Sequence, residues 1–137
     1  MHNQVIVDTG VLIALIDRLD HYHNWVTEQL KQITPPLVTC EAVISESWFL
    51  LKRVKNGRET LIKLLTQRHV VVQFDLDAEL EMVLALLSRY QSVPASLADA
   101  ELVRMSELYP HSLIFTLDSD FQIYRKNRDR LIPLLMP

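Results

Sequence analysis

The sequence predicts an α/β protein: a three-layer α/β/α arrangement around a mostly parallel sheet of four or five strands. Three observations carry that expectation. Short apolar runs rich in β-branched residues recur at Val5–Val7, Leu37–Cys40, Val70–Phe74 and Leu113–Leu117. Longer segments with helical periodicity separate them, which implies βαβ units with right-handed crossovers. The runs read as continuously apolar, as strands covered on both faces do.

In chain order, Val5-Ile6-Val7 is followed by Asp8, Thr9 and Gly10, so the first strand ends in an acid. Leu12, Leu15, Ile16 and Leu19 then recur at helical spacing, and a second helix places Val26, Leu30 and Ile33 on one face before Pro35-Pro36 stops it. His21 and His23 fall in the connection; with no soft ligands nearby they read as linker residues rather than a zinc site. A third helix after Cys40 directs Ile44, Trp48 and Leu51 inward. Glu46 is two positions from both Ile44 and Trp48, about 200° away on the wheel. Asn56-Gly57 marks a left-handed cap before the helix of Leu61, Leu64 and Leu65. Asp77 is the expected N-cap of the next helix, whose apolar face is Leu80, Val83, Leu84 and Leu87, with Glu79 and Glu81 as surface charges. Ser96 and Asp99 stand three apart, as in a capping box, ahead of the stripe Ala98, Leu102 and Met105. The fourth strand runs into Asp118-Ser119-Asp120, repeating the opening pattern. The tail reads as a basic helix surface at Arg125, Lys126, Arg128 and Arg130, and Pro133 limits Leu131–Leu135 to an edge strand.

With 137 residues, 49% of them hydrophobic, the expectation is one domain over residues 1–137 with a sizeable core. No run reaches the roughly 18 apolar residues of a membrane span, and the start lacks a secretory signal, so the expectation is a cytoplasmic protein without membrane contact. The single cysteine, Cys40, reads as buried and structural. A net charge of -3 argues against coating nucleic acid by bulk attraction. Charge is nevertheless segregated: residues 52–68 and 122–137 are basic, and the rest is acidic. Arg53 and Lys55 are the candidate substrate-binding residues if the basic segments border the acids.

In a parallel sheet all strand carboxyl ends lie on one edge, where ligands bind. Asp8, Glu46, Asp99, Asp118 and Asp120 all follow predicted strands or open late helices, so one edge can collect them. Carboxylates about 5 Å apart repel by about 3 kcal/mol at an effective dielectric near 20. A cation belongs among them. An oxygen-only ligand set suits Mg2+ or Mn2+, which lowers the pKa of a bound water and stabilises charge on a leaving oxygen. Hydrolysis of a nucleic acid backbone is the chemistry this predicts.

These residues also resemble a family. Val-Asp-Thr-Gly at 7–10, Ser45-Glu46, Leu97-Ala98-Asp99-Ala100 and Thr116-Leu117-Asp118-Ser119-Asp120-Phe121 are similar, in this order and spacing, to the motifs of PIN-domain ribonucleases, and among these to single-domain prokaryotic VapC-like toxins. The resemblance implies metal-dependent endoribonuclease activity, a homodimer and, for toxins, a cognate antitoxin. It maps Asp8, Glu46, Asp99 and Asp118 to the catalytic metal-site acids, Asp120 to an additional acid, and Thr9 and Thr116 to supporting hydroxyls. It also makes Asp20 with His23 a recurrent structural feature, while Trp48, two residues past Glu46, departs from the pattern. Two other readings compete. One is a catalytically silent PIN fold that binds RNA or a protein partner. The other is a phosphoacceptor signalling domain, which requires a lysine after a late strand; the late strand here ends in Asp118, and no lysine lies between Lys63 and Lys126.

Overall fold

A computed structural model describes residues 4–137. Five parallel strands form its main sheet: β1 (Gln4–Val7), β2 (Leu37–Thr39), β3 (Val70–Val72), β4 (Ser112–Phe115) and an edge strand, called β7 here (Leu134–Leu135) because a two-stranded ribbon precedes it. Their order is β3-β2-β1-β4-β7. Six helices accompany them: α1 (Thr9–Ile16), α2 (His23–Leu30), α3 (Glu41–Leu50), α4 (Gly57–Thr66), α5 (Leu80–Arg89) and α6 (Leu97–Leu108). The chain steps outward from β1 to β3, then returns to the other side of β1 for β4. Right-handed crossovers therefore put α1–α4 and α5–α6 on opposite faces, which gives the expected three layers. Ile6, Val38, Ile114 and Phe115 are fully covered between them. The strand order reverses at β1 and β4, so the crevice between their carboxyl ends is the natural site. The Asp8 amide closes that edge by donating to the Phe115 carbonyl at 3.0 Å. Among the described residues no helix is long and apolar enough to cross a membrane.

Several local expectations are corrected. Helix α1 stops at Ile16 because Asp17 is extended and its carboxylate accepts from the Leu19 amide at 3.0 Å; Leu19 is 94% exposed rather than on the stripe. His23 opens α2 instead of lying in the connection, and α2 ends at Leu30, short of Ile33. Helix α3 buries Val43 and Ser47, while Ile44 and Trp48 face α4 across an open groove shared with Leu61, Ile62 and Leu65. The Trp48 indole is exposed and stacked by the Arg58 guanidinium at 4.5 Å.

The left-handed residue before α4 is Asn56, at φ 57°. Gly57 is needed for space instead: a Cβ there would lie 2.9 Å from the Val54 Cβ and 3.0 Å from the Leu51 carbonyl oxygen. Asp75, not Asp77, accepts from the turn leading to α5, through the Ala78 amide at 3.3 Å. That helix buries Val83 and Leu86 and exposes Leu80 and Leu84. Glu79 is no free surface charge, since it pairs with Arg104 at 2.7 Å. The tail forms an antiparallel ribbon, β5 (Arg125–Lys126) with β6 (Arg130–Leu131), rather than a basic helix. Asn127 and Arg128 both adopt positive φ, which turns the chain back and excludes a helix. After Pro133 the edge strand pairs with β4, as expected.

Candidate active site

Asp8 stands where β1 passes into α1, in the extended conformation of an N-cap. Its Oδ1 accepts from the Thr9 amide at 2.7 Å and its Oδ2 from the Thr116 hydroxyl at 2.8 Å. Thr116 follows β4 and is fully buried, so the hydroxyl ties together the two strand ends at the crevice. The same oxygen accepts from the Asp118 amide at 3.0 Å. Burial is the main reason that the Asp8 carboxyl is pushed up to about 6; the Thr116 and Thr9 hydrogen bonds oppose the rise, and the charges of Asp99 and Asp118 add to it.

Glu46 lies one turn into α3 on the exposed side. Its Oε1 accepts from the Thr9 hydroxyl at 2.7 Å, which brings this carboxylate to the mouth of the crevice. Asp99 completes a capping box with Ser96: its amide donates to the Ser96 hydroxyl at 3.0 Å and its Oδ2 accepts from the Ser96 amide at 3.1 Å. Tyr124 donates to the same oxygen at 3.2 Å. Burial raises the Asp99 pKa above the ordinary value, with the Asp118 charge adding and the Ser96 and Tyr124 hydrogen bonds opposing. Asp118 caps a short 3-10 turn, Ser119–Gln122, its Oδ1 accepting from the Asp120 amide at 2.9 Å. Asp120 lies in that turn and, with Asp99 and Asp118, adds to the burial that holds the Tyr124 phenol far above its usual range. Tyr124 is therefore a fixed proton donor to Asp99.

The mutual electrostatic effects place Asp8, Asp99, Asp118 and Asp120 in one neighbourhood, and Thr9 joins Glu46 to it. Arg53 and Lys55 are not brought there. They line a groove with Leu15, Asp17, Arg18 and His23 at the far end of α1, about 12 Å along the helix from Thr9 at 1.5 Å per residue. Asp20 and His23 have structural partners: Asp20 accepts from the Tyr22 amide at 2.9 Å, and the His23 Nδ1 sits 2.7 Å from the Ala14 carbonyl oxygen. Cys40 is buried and its thiol is pushed up to about 12, chiefly by that burial, so it is inert at neutral pH.

Two residues escape sequence reasoning. Tyr124 lies just before β5, between Ile123 and Arg125, where nothing in the sequence separates it from an ordinary core aromatic. Glu101 is 3% exposed on α6, two positions past Asp99, and nothing in its helical pattern separates it from a surface glutamate. Burial, with the Glu41 charge second, raises its pKa.

Among the described residues, no three His, Cys, Asp or Glu side chains meet closely enough to hold an ion unaided. The ion pairs among the described residues are Lys31–Glu28, Arg104–Glu79 and Arg104–Glu107, none of which neutralises the crevice acids. Open, uncompensated carboxylate oxygens of this kind fit a hard cation that keeps several waters, as Mg2+ does.

Fold and site together define an α/β/α domain with an acidic centre at the sheet's topological switch point. The chain belongs to the PIN domain family, whose model matches residues 5–127. Among solved structures it is similar to the Mycobacterium tuberculosis toxin VapC20, described as cleaving the sarcin-ricin loop. The TM-score is 0.77 at 22% identity, over 88% of this chain and 94% of that one. No curated protein matches the chain in sequence.

Proposed function

We propose that this protein is a metal-dependent endoribonuclease, the toxin of a toxin–antitoxin pair, working as one nuclease domain over residues 1–137 in the cytoplasm. The observation that supports it best is the buried Asp8 carboxylate, held by hydroxyl and amide donors beside Asp99 and Asp118 with no basic side chain among the described residues pairing them. PIN family membership and the likeness to a ribosomal-loop-cleaving toxin lend the same support.

Asp8, Glu46, Asp99 and Asp118 would hold Mg2+ or Mn2+, with Asp120 as an additional acid of the site. The bound ion would supply a water of lowered pKa and compensate charge on the phosphodiester. Thr116 orients Asp8 from one side and accepts from the Asp118 amide on the other, so it sets the spacing of the two carboxylates. Thr9 does the same for Glu46. Tyr124 keeps its proton and fixes one oxygen of Asp99. Arg53 and Lys55, away from the crevice, would hold a distal stretch of RNA rather than the scissile phosphate. A homodimer and a cognate antitoxin belong to this reading, and the exposed Trp48, Phe49, Leu50 and Ile62 offer apolar surface for a second chain to cover.

The test is cleavage of a folded RNA loop with and without Mn2+, by wild type and Asp8→Asn. The expected outcome is cleavage only with the ion and only by wild type. Equal cleavage by the variant, or none by a folded wild type that also binds no divalent metal, would overturn the reading.

A further inference from the structure

A second acidic cleft opens on the same sheet edge, beside the crevice and over the ends of β2 and β3. It has a volume of about 840 Å³ and is walled by Val72, Phe74, Leu76, Leu80 and Leu97. Its carboxylates are Glu41, Asp75, Asp77 and Glu101. Glu101 distinguishes it from an ordinary acidic rim. The residue is 3% exposed, lines the cleft, and has no hydrogen-bond or ion-pair partner among the described residues, so its carboxylate is left to the solvent of the cleft.

We propose that this cleft is a binding site for a basic side chain, a guanidinium or ammonium group presented by a peptide partner. The cleft's shape and chemistry select that ligand class. Apolar walls suit the aliphatic stem of arginine or lysine, and the carboxylate at depth suits its charged head through charge-assisted hydrogen bonds. A bare or hydrated metal ion gains nothing from the five apolar walls. RNA is disfavoured because four carboxylates repel phosphate. The site is separate from the proposed nuclease centre: Glu101 and Asp99 project from α6 about 200° apart. Its occupancy does not depend on RNA cleavage.

The experiment is amide-resolved NMR titration of the metal-free protein with a short arginine peptide, and with the same peptide carrying citrulline, the neutral isostere. The arginine peptide is expected to shift Ser45, Leu76 and Leu97, and citrulline to bind at least about tenfold more weakly, the worth of one charge-assisted hydrogen bond. Glu101→Gln should weaken the arginine peptide by a similar factor, and Glu41→Gln, on the exposed rim, by less. Equal binding of arginine and citrulline overturns the proposal, as do shifts confined to Asp8 and Asp99 or an unchanged affinity in Glu101→Gln. If Mg2+ alone moves the cleft residues and the peptide does not, the site is a metal site. If a short RNA moves them instead, the partner is not a peptide. If Glu101→Gln fails to fold, loss in Glu41→Gln together with the citrulline difference decides the question.

Discussion

Replacing Asp8 by asparagine should flatten the protein's stability against pH. The Asp8 carboxyl titrates at about 6 in the fold, against an ordinary value of 3.8. The folded state therefore binds its proton more tightly than the unfolded chain does. Between those two values the native state holds more protons, so stability falls as pH rises, and above pH 6 the full penalty of a buried charge remains. A rise of that size corresponds to about 3 kcal/mol. For a chain of this length that is a decrease in Tm of about 10 °C, at roughly 3–4 °C per kcal/mol. The assay is thermal unfolding by circular dichroism from pH 4 to 8 in chelator, comparing wild type with Asp8→Asn. Other carboxylates titrate in both proteins, so the difference between the two curves isolates Asp8. Asparagine loses an acceptor for Thr9 or Thr116 and starts from a constant offset, but it should lack the wild type's decline between pH 4 and 7. Parallel curves would refute the account, because Asp8 would then not be the buried, destabilised charge the geometry describes.

Two further outcomes follow from the same site and its surroundings. Thr116→Val removes a hydroxyl that donates to Asp8 and accepts from Asp118, so urea unfolding at pH 7.5 should show a loss of about 3 kcal/mol, and a loss below about 1 kcal/mol would mean both bonds are replaced by water. Reversing Arg53 and Lys55 to glutamate should weaken RNA binding and flatten its dependence on salt in anisotropy titrations, while the cleavage rate at saturating RNA stays unchanged; unaltered affinity and salt slope would return both residues to a solvated surface.

The architecture was legible because it rests on features a sequence carries openly: apolar runs, their separation, and acids directly after two of them. Asp8 and Asp118 could be assigned to one edge as soon as the strands were assumed parallel. The misread elements share a physical cause. Helix α3 packs on α1 and also faces α4, so apolar residues occur on two sides and a wheel cannot tell which are covered; Val43 and Ser47 are buried, Ile44 is half-buried and Trp48 is exposed. The tail turns through Asn127 and Arg128 in left-handed conformations, and an arginine there carries no signal comparable to glycine. Glu46 is drawn in by a hydroxyl 37 positions away, which no local pattern encodes.

The sequence offers Asp99 both a helix cap and a chemical role; the structure shows the cap, and the cap leaves room for the proposed role. Its cap uses Oδ2, the oxygen that Tyr124 also reaches, and no described hydrogen bond goes to Oδ1. Asp118 caps through Oδ1 and leaves Oδ2 in the same condition. Asp8 engages both oxygens, but a carboxylate has about four lone-pair positions and only two are occupied. Each aspartate is thus anchored by a cap at a chain turn and keeps acceptor capacity that no described hydrogen bond uses. Capping contributes about 1 kcal/mol, and a helix N-terminus adds up to about 1 more. Two such charges about 5 Å apart would repel by about 3 kcal/mol, which is more. The caps therefore explain how the carboxylates are anchored, and under the proposed function a bound cation would relieve that repulsion.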